Sequence, residues 1–313
     1  MTHLMIGERD FKSTTAAARD LPIDFSKRFI PEQLTPLYHT SGYSRLSDAQ
    51  RLRYNQLHAS YFNEQTIFFE SAMAQHILRG LLSRRLPDGV ANGLRTSMSE
   101  EAQHSELFRD LNRKCLPQHY ANGDFHFISI PLLASVCLGQ WVRHPRFFPF
   151  FIWLLLIQEE RALFCAKAFL DDAGELEPNF VAIQRRHLAD EVNHIQSDEA
   201  LLDWTWQTTG KLSRGINARL FAWMMGEYFT TPKRSGLRVV AELVKEFPVL
   251  QPRWPELRDE VLQLSHNREF NLLSYSRNVT PKTFARFDQW LEFRSLNKVL
   301  AGYEPLPPVP TRS

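Results

Sequence analysis

The sequence predicts an all-α protein centred on a four-helix bundle, and three observations carry that expectation. No stretch alternates apolar and polar residues between turn signals as a half-buried strand would. Apolar residues instead recur at helical spacing over long segments bounded by prolines. Two Glu-x-x-His sequences, Glu101-Ala-Gln-His104 and Glu191-Val-Asn-His194, lie on two of those segments.

The elements follow in order. Residues 1–45 read as irregular, because Pro22, Pro31 and Pro36 interrupt any helix. Ser47 followed by Gln50 is a capping box that opens a helix over 48–84, stopped before Pro87. A second helix covers 93–114 and ends before Pro117, and a shorter apolar segment spans 127–142. A third covers 147–171, closed by the Asp-Asp-Ala-Gly turn, and Pro178 opens a fourth that reaches 208 before Gly210. Further helices read at 214–229, 234–246, 254–274 and 281–300. The domain reading is an irregular segment to 45, one helical domain over 46–303 with its core bundle at 46–208, and a proline-rich tail at 304–313.

Composition excludes several classes of function. With 37 basic and 35 acidic residues the net charge is +2, which supports neither nucleic-acid binding nor electrostatic attachment to a membrane. The strongest apolar run, 147–157, is about half of what a bilayer crossing needs, and the N-terminus lacks the apolar core of a signal peptide. Cys115, Cys137 and Cys165 are odd in number and form no CxxC pair, so buried free thiols are expected rather than a zinc ribbon or redox dithiol. A soluble, cytoplasmic protein is the expectation. Phe (23) and Trp (7) are plentiful while Gly (13) is scarce, which favours long helices around an aromatic interior.

A single Glu-x-x-His is weak evidence, because chance supplies such matches in a chain of this length. Spacing makes it specific. Glu70 lies 31 residues before Glu101, and Glu160 lies 31 before Glu191. Positions i and i+3 share a helix face, so each motif can aim a carboxylate and an imidazole at one point. At ~1.5 Å per residue, an antiparallel hairpin climbs from the first Glu, turns and descends to the motif at the same height. Two hairpins then bring four carboxylates and two imidazoles to one level, the ligand set of carboxylate-bridged di-iron or di-manganese bundles. Apolar stripes around Glu70 (Ile67, Met73, Ile77) and Glu160 (Ile152, Leu156, Leu163) imply burial, which a carboxylate tolerates only beside a cation. Glu64 competes with Glu70 and Glu159 with Glu160; the second of each pair keeps the 31-residue spacing and is preferred. His187, four residues before Glu191, breaks the repeat, its counterpart being Ser97, and extends the second motif to His-x-x-x-Glu-x-x-His. Asp190 and Glu100, each preceding a motif glutamate, are placed to accept the outer N–H of a ligand histidine from the neighbouring helix.

With Glu70, Glu101-x-x-His104, Glu160 and the motif at 187–194, the sequence resembles the di-iron p-aminobenzoate N-oxygenases over residues 45–208. The resemblance implies a ferritin-like four-helix bundle with a di-metal centre plus additional N- and C-terminal helices. It also implies metal ligation by Glu70, Glu101, His104, Glu160, His187, Glu191 and His194. The implied activity is O2-dependent N-oxygenation of a small-molecule amine to the hydroxylamine, nitroso or nitro level. Two iron ions are the implied cofactor, manganese being compatible with the same ligands, and O2 is the co-substrate. Electrons must come from an external reductase or other donor, since no flavin, nicotinamide or Fe–S signature is visible. Phe68, Phe69, Trp153 and Phe164 are candidates for the pocket wall or for the core. Arg268 and Arg277 are weighed against a substrate carboxylate, a surface role suiting both better. Rival readings are a di-iron C–H hydroxylase, desaturase or ligand-binding oxidase, and a non-catalytic iron-binding protein. Apolar helices after 210 are compatible with a homodimer.

Overall fold

The computed structural model describes residues 21–306, and among them every regular element is helical; the only β pairings are two isolated bridges. Helix α1 runs Asp48–Ile67, passes through a turn of π-helix at Phe68–Ala74 and continues as Gln75–Leu82. Its start is the expected capping box: Ser47 Oγ accepts from the Gln50 amide, and the Gln50 side chain accepts from the Ser47 amide. Helix α2 is Asp88–Cys115, longer at its start than the sequence predicts, because Pro87 rather than Gly93 marks the boundary. Gly93 has a different purpose. A Cβ there would meet Ser197 Oγ at 2.7 Å, so the glycine lets α2 approach the later helix closely.

The apolar segment after α2 becomes helical only as α3, Leu132–Trp141. Residues 126–128 are held out of it because their amides donate to the buried Glu64 carboxylate. Helix α4 is Phe150–Asp171 and α5 is Pro178–Thr208, the latter capped by the Glu177 side chain on the amides of Asn179 and Phe180. Then come α6 (Lys211–Met224, with a π turn at Met225–Phe229), α7 (Ser235–Glu246), α8 (Trp254–Gln263), α9 (Arg268–Ser274) and α10 (Pro281–Phe287). Two expected long helices are broken. At 264–267 a 3₁₀ turn intervenes and Asn267 caps α9 by accepting from the Phe270 amide. After α10, Asp288 accepts from Arg277, Tyr303 and the Leu306 amide, and the chain resumes as a 3₁₀ helix, Leu291–Lys298. The N-terminal described residues hold only short turns, as expected, and the tail beyond 306 lies outside the described residues.

Helices α1, α2, α4 and α5 form the bundle, with α1 on α2, α2 on α5 and α5 on α4. Cross-helix pairs such as His104–Asp190 and Glu100–His194 run in opposite numerical directions, so α2 and α5 are antiparallel. Two apolar cores flank the level of the motif residues. One joins α1, the far end of α2, α7 and α8. The other surrounds the start of α4, where every residue from Phe150 to Ile157 is buried. A helix apolar on all sides must be wrapped on all sides; α5, α6 and α10 do so here. Cys115 and Cys165 are buried free thiols and Cys137 is half-buried. No helix among the described residues is long and apolar enough to cross a membrane.

Candidate metal centre

Seven acidic and imidazole side chains converge between α1, α2, α4 and α5, all nearly inaccessible to solvent. Ligand atoms of Glu70, His104 and His187 lie within 4.8 Å of one another, and so do those of Glu101, Glu159 and His194. Glu191 stands between the two groups: its Oε1 is 2.7 Å from His187 Nε2, 3.6 Å from His194 Nδ1 and 3.9 Å from His104 Nδ1. Glu101 spans them too, with Oε1 3.4 Å from His194 Nδ1 and Oε2 3.9 Å from His104 Nδ1. On α5, i, i+4 and i+7 place His187, Glu191 and His194 on one face; on α2, i and i+3 do the same for Glu101 and His104.

Six of the seven residues expected from sequence are here; Glu160 is not. Its carboxylate accepts from the Lys282 and Thr283 amides, both at 2.8 Å, and from Thr283 Oγ1 at 2.6 Å. It therefore caps the N-terminus of α10, and Glu159 points inward instead. The equal 31-residue spacing misled because the two hairpin turns differ in length. Glu70 lies twelve residues before Leu82 and Glu159 twelve before Asp171, while Glu101 and Glu191 each lie thirteen after the first residue of their helices. Counted from the helix ends the repeat is kept, and the second turn is one residue longer. Glu64, the rejected rival of Glu70, is occupied elsewhere, accepting from Tyr120 Oη and from the amides of 126–128.

The outer edges of two histidines are fixed across the bundle. His104 Nε2 is 2.9 Å from Asp190 Oδ2, and His194 Nε2 is 2.9 Å from Glu100 Oε2. With Nε2–H donated to a carboxylate, each ring turns its Nδ1 inward. Those Nδ1 atoms have no hydrogen-bond partner, nor do Glu101 Oε2 or Glu191 Oε2; Glu70 Oε1 and Glu191 Oε1 have His187 Nε2 nearby, at 3.1 and 2.7 Å, in directions that make no hydrogen bond. Buried polar atoms are almost always paired, so this convergence of unpaired oxygens and nitrogens is the arrangement two cations would satisfy. The donor set, carboxylate and imidazole without thiolate, suits iron or manganese. The residues present fit a di-metal centre.

Electrostatics agree. Burial and the neighbouring Glu191 and Glu101 hold the Glu159 carboxyl well above the usual range. Burial and Glu101 push Glu70 up to about 7. Against the pull of burial, carboxylate partners raise His104 to about 9 and His194 to about 10. Without metal, protons do part of the neutralising. Asp198, one turn beyond His194, is a buried acid that the sequence reading missed; burial lifts its carboxyl well above the ordinary value despite the nearby His194. Its i+4 relation to His194 was the available signal.

A cavity of about 180 Å³ opens beside the cluster and reaches Glu70, Glu159 and His187. Both π turns wall it, through Phe68, Phe69 and Met73 on one side and Tyr228 and Phe229 on the other. Such turns recur at functional sites because the wider coil shifts side chains off the regular helical face. Of the aromatic candidates, Phe68 and Phe69 line the cavity, while Trp153 packs against Trp206, Phe287 and Phe293 in the core and Phe164 packs against the other core. Arg268 is exposed and Arg277 pairs with Asp288, so neither reaches the cavity. The arginine that does is Arg161. It lines the cavity, stacks over the Tyr275 ring at 5.8 Å, and its Nε is buried without a hydrogen-bond partner. Sequence reasoning missed it because an arginine next to Glu-Glu on a helix reads as a solvated salt bridge.

A family model described as p-aminobenzoate N-oxygenase AurF matches residues 16–261. No curated protein matches the chain. The match covers most of the sequence, and the chain belongs to this oxygenase family.

Proposed function

We propose that this protein is an O2-dependent di-iron oxygenase that oxidises the nitrogen of a small-molecule amine bearing an anionic group. The observation that carries the reading is the set of unpaired, buried carboxylate oxygens and imidazole nitrogens facing one another at the wall of a cavity. Glu70, His104 and His187 would hold one iron, Glu101, Glu159 and His194 would contribute to the other, and Glu191 lies between them. When bound, the reduced iron pair supplies activation of O2 and part of the electrons for oxygen transfer; an external donor restores them.

The chain's own residues do the rest. Asp190 and Glu100 fix the tautomer and aim of His104 and His194. Ser105 Oγ donates to Glu70 Oε2 at 3.1 Å and holds that carboxylate toward the cavity. The aromatic wall keeps water from the reacting nitrogen. Arg161 would receive the anionic end of the substrate, since a half-buried guanidinium in the cavity wall, its Nε buried and unpaired and no carboxylate beside it, has a charge that a ligand would compensate. A cavity with such a charge favours an enzyme over an iron store.

The test is metal analysis joined to a product assay. About two irons per chain are expected in freshly purified protein, together with conversion of an arylamine carboxylate to its hydroxylamine or nitro product under O2 and reductant. Iron near zero in protein purified without chelator and reloaded with Fe(II) would end the di-iron reading. Full iron with no oxidised amine, but oxidised carbon in the same substrate, would move the reaction to C–H hydroxylation.

A further inference from the structure

Away from the bundle, His119 and His126 stack ring on ring, with centroids 4.0 Å apart and planes 3° from parallel, beside Glu242 of α7. The Nε2 of His119 is 3.4 Å from Glu242 Oε1, and that of His126 is 3.7 Å from Oε2. An N–H···O hydrogen bond is about 2.7–3.2 Å long, so both separations are too large for one. Two ligands on a tetrahedral zinc, each bonded at about 2.0–2.2 Å, stand about 3.3–3.5 Å apart. The His119 separation falls in that range and the His126 separation lies just beyond it, each to a different carboxylate oxygen, so the parallel rings must tilt before both nitrogens face one ion. One ligand atom from each of the three side chains lies within 4.8 Å of the other two.

We propose that His119, His126 and Glu242 form a second metal site, outside the bundle, that takes a zinc(II)-class cation. Two imidazoles and one carboxylate are a zinc donor set that leaves a fourth position to water. The His119 Nδ1 is buried without a hydrogen-bond partner. The segment bearing the histidines is already held in place: the buried Glu64 takes the amides of His126, Phe127 and Ile128 and the Tyr120 hydroxyl. Arg238 of α7 also donates to the His126 carbonyl at 3.3 Å. The backbone that carries the histidines is thus preset, and what a cation must still impose is the tilt of a ring and the release of a lysine. The present partner of Glu242 is Lys245, at 3.0 Å and largely exposed, so it can swing into solvent when a cation arrives. His126 is the more accessible of the two rings and can tilt out of the stack to converge on the ion.

The site has a consequence for the cavity. The histidine segment continues into Ile128, Ser129 and Ile130, which line the cavity, and α7 contributes Ser235 to the same wall. Ser129 already donates its amide to Ser235 Oγ at 2.9 Å. A cation across His119, His126 and Glu242 fastens both sides of that wall together.

The test uses iron-loaded full-length protein equilibrated with micromolar free Zn2+ and analysed for both metals. One zinc per chain beyond the iron complement is expected. His126→Ala and Glu242→Gln, both outside the bundle, should each weaken its retention at least tenfold while leaving the iron content unchanged. Zinc should raise the Tm of the wild type and not of His126→Ala, and X-ray absorption at the zinc edge should show imidazole nitrogen. Glu191→Ala should lose iron and keep this zinc, so failure of the bundle reading and failure of this one are distinguishable. Absence of the extra zinc, or retention equal in wild type and both variants, overturns the proposal.

Discussion

The two hairpins of the bundle supply the same kinds of ligand at the same distance from their turns, yet they differ in how they are built. In the second hairpin, α4 enters the site through eight consecutive residues, Phe150–Ile157, each at most 1% exposed. In the first, α1 reaches the same level through a π turn whose Phe68, Phe69 and Ser71 are only half-buried and whose aromatic rings face the cavity. The second hairpin also carries the extra imidazole, His187, where the first has Ser97. One half is the rigidly packed one and the other is opened by its π turn, while both line the cavity, the rigid half through Glu159, Arg161 and His187. Symmetry is kept in the lone glutamate and the Glu-x-x-His of each hairpin and given up at His187 and in the packing around them.

The largest effect should follow from removing what the halves share. Glu191→Ala takes away the carboxylate between both groups, and iron content should fall from about two per chain to a small remainder, with activity lost. Its companions are Glu159→Ala and Glu160→Gln. The first should lose iron; the second should keep it and instead lose about 1 kcal/mol of stability, the typical worth of a helix cap. Iron loss in Glu160→Gln with retention in Glu159→Ala would reverse the assignment.

Next in size is the rigid half's core. Trp153→Ala should destabilise the protein by about 3–5 kcal/mol, whereas Phe68→Ala, on the cavity wall, should cost far less stability and change KM instead. Equal stability losses in denaturant titrations would erase the distinction between the hairpins. Asp190→Asn and Glu100→Gln probe the two halves at equivalent places. Each should lower iron affinity about 10–100-fold, and a marked inequality would show that the two metals are held unequally. Arg161→Met should raise KM for a carboxylate-bearing amine by at least tenfold and leave a neutral amine of similar shape nearly unaffected.

The smallest effect is a pH dependence. In the metal-free protein, His104 titrates at about 9 and His194 at about 10, one from each hairpin, and metal requires both as free bases. Iron uptake at neutral pH should therefore release protons, measurable in weak buffer, and affinity should rise with pH up to that range. The same raised values stabilise the metal-free fold fully below the ordinary imidazole pKa of ~6.5. That contribution disappears as pH rises through about 9–10. An apo protein whose Tm does not fall over that interval would count against the buried cluster.

Much of this was legible in the sequence, for local reasons. The Ser47–Gln50 box and Pro178 mark helix starts by their own chemistry, and a motif at i, i+3 and i+4 declares its face. Non-local partners were not legible. Glu159 and Glu160 are adjacent on an apolar helix, and only the turn length and the amides at the start of α10 decide which one points inward. The break at 264–267 hangs on Asn267 choosing the Phe270 amide over continuing the helix. Glu64 looked like a ligand because a buried glutamate does; its partners are backbone amides some sixty residues away. Arg161 gained meaning only when a cavity formed around it.

The crossed pairs His104–Asp190 and Glu100–His194 tie α2 to α5 at two points within little more than one turn of each helix. A slip of either helix by a single residue, about 1.5 Å, would part both contacts together and swing both rings away from the interior. These helices consequently have one permitted alignment even before any ion enters. Tightness of iron retention in a variant thus becomes a gauge of whether that alignment has survived.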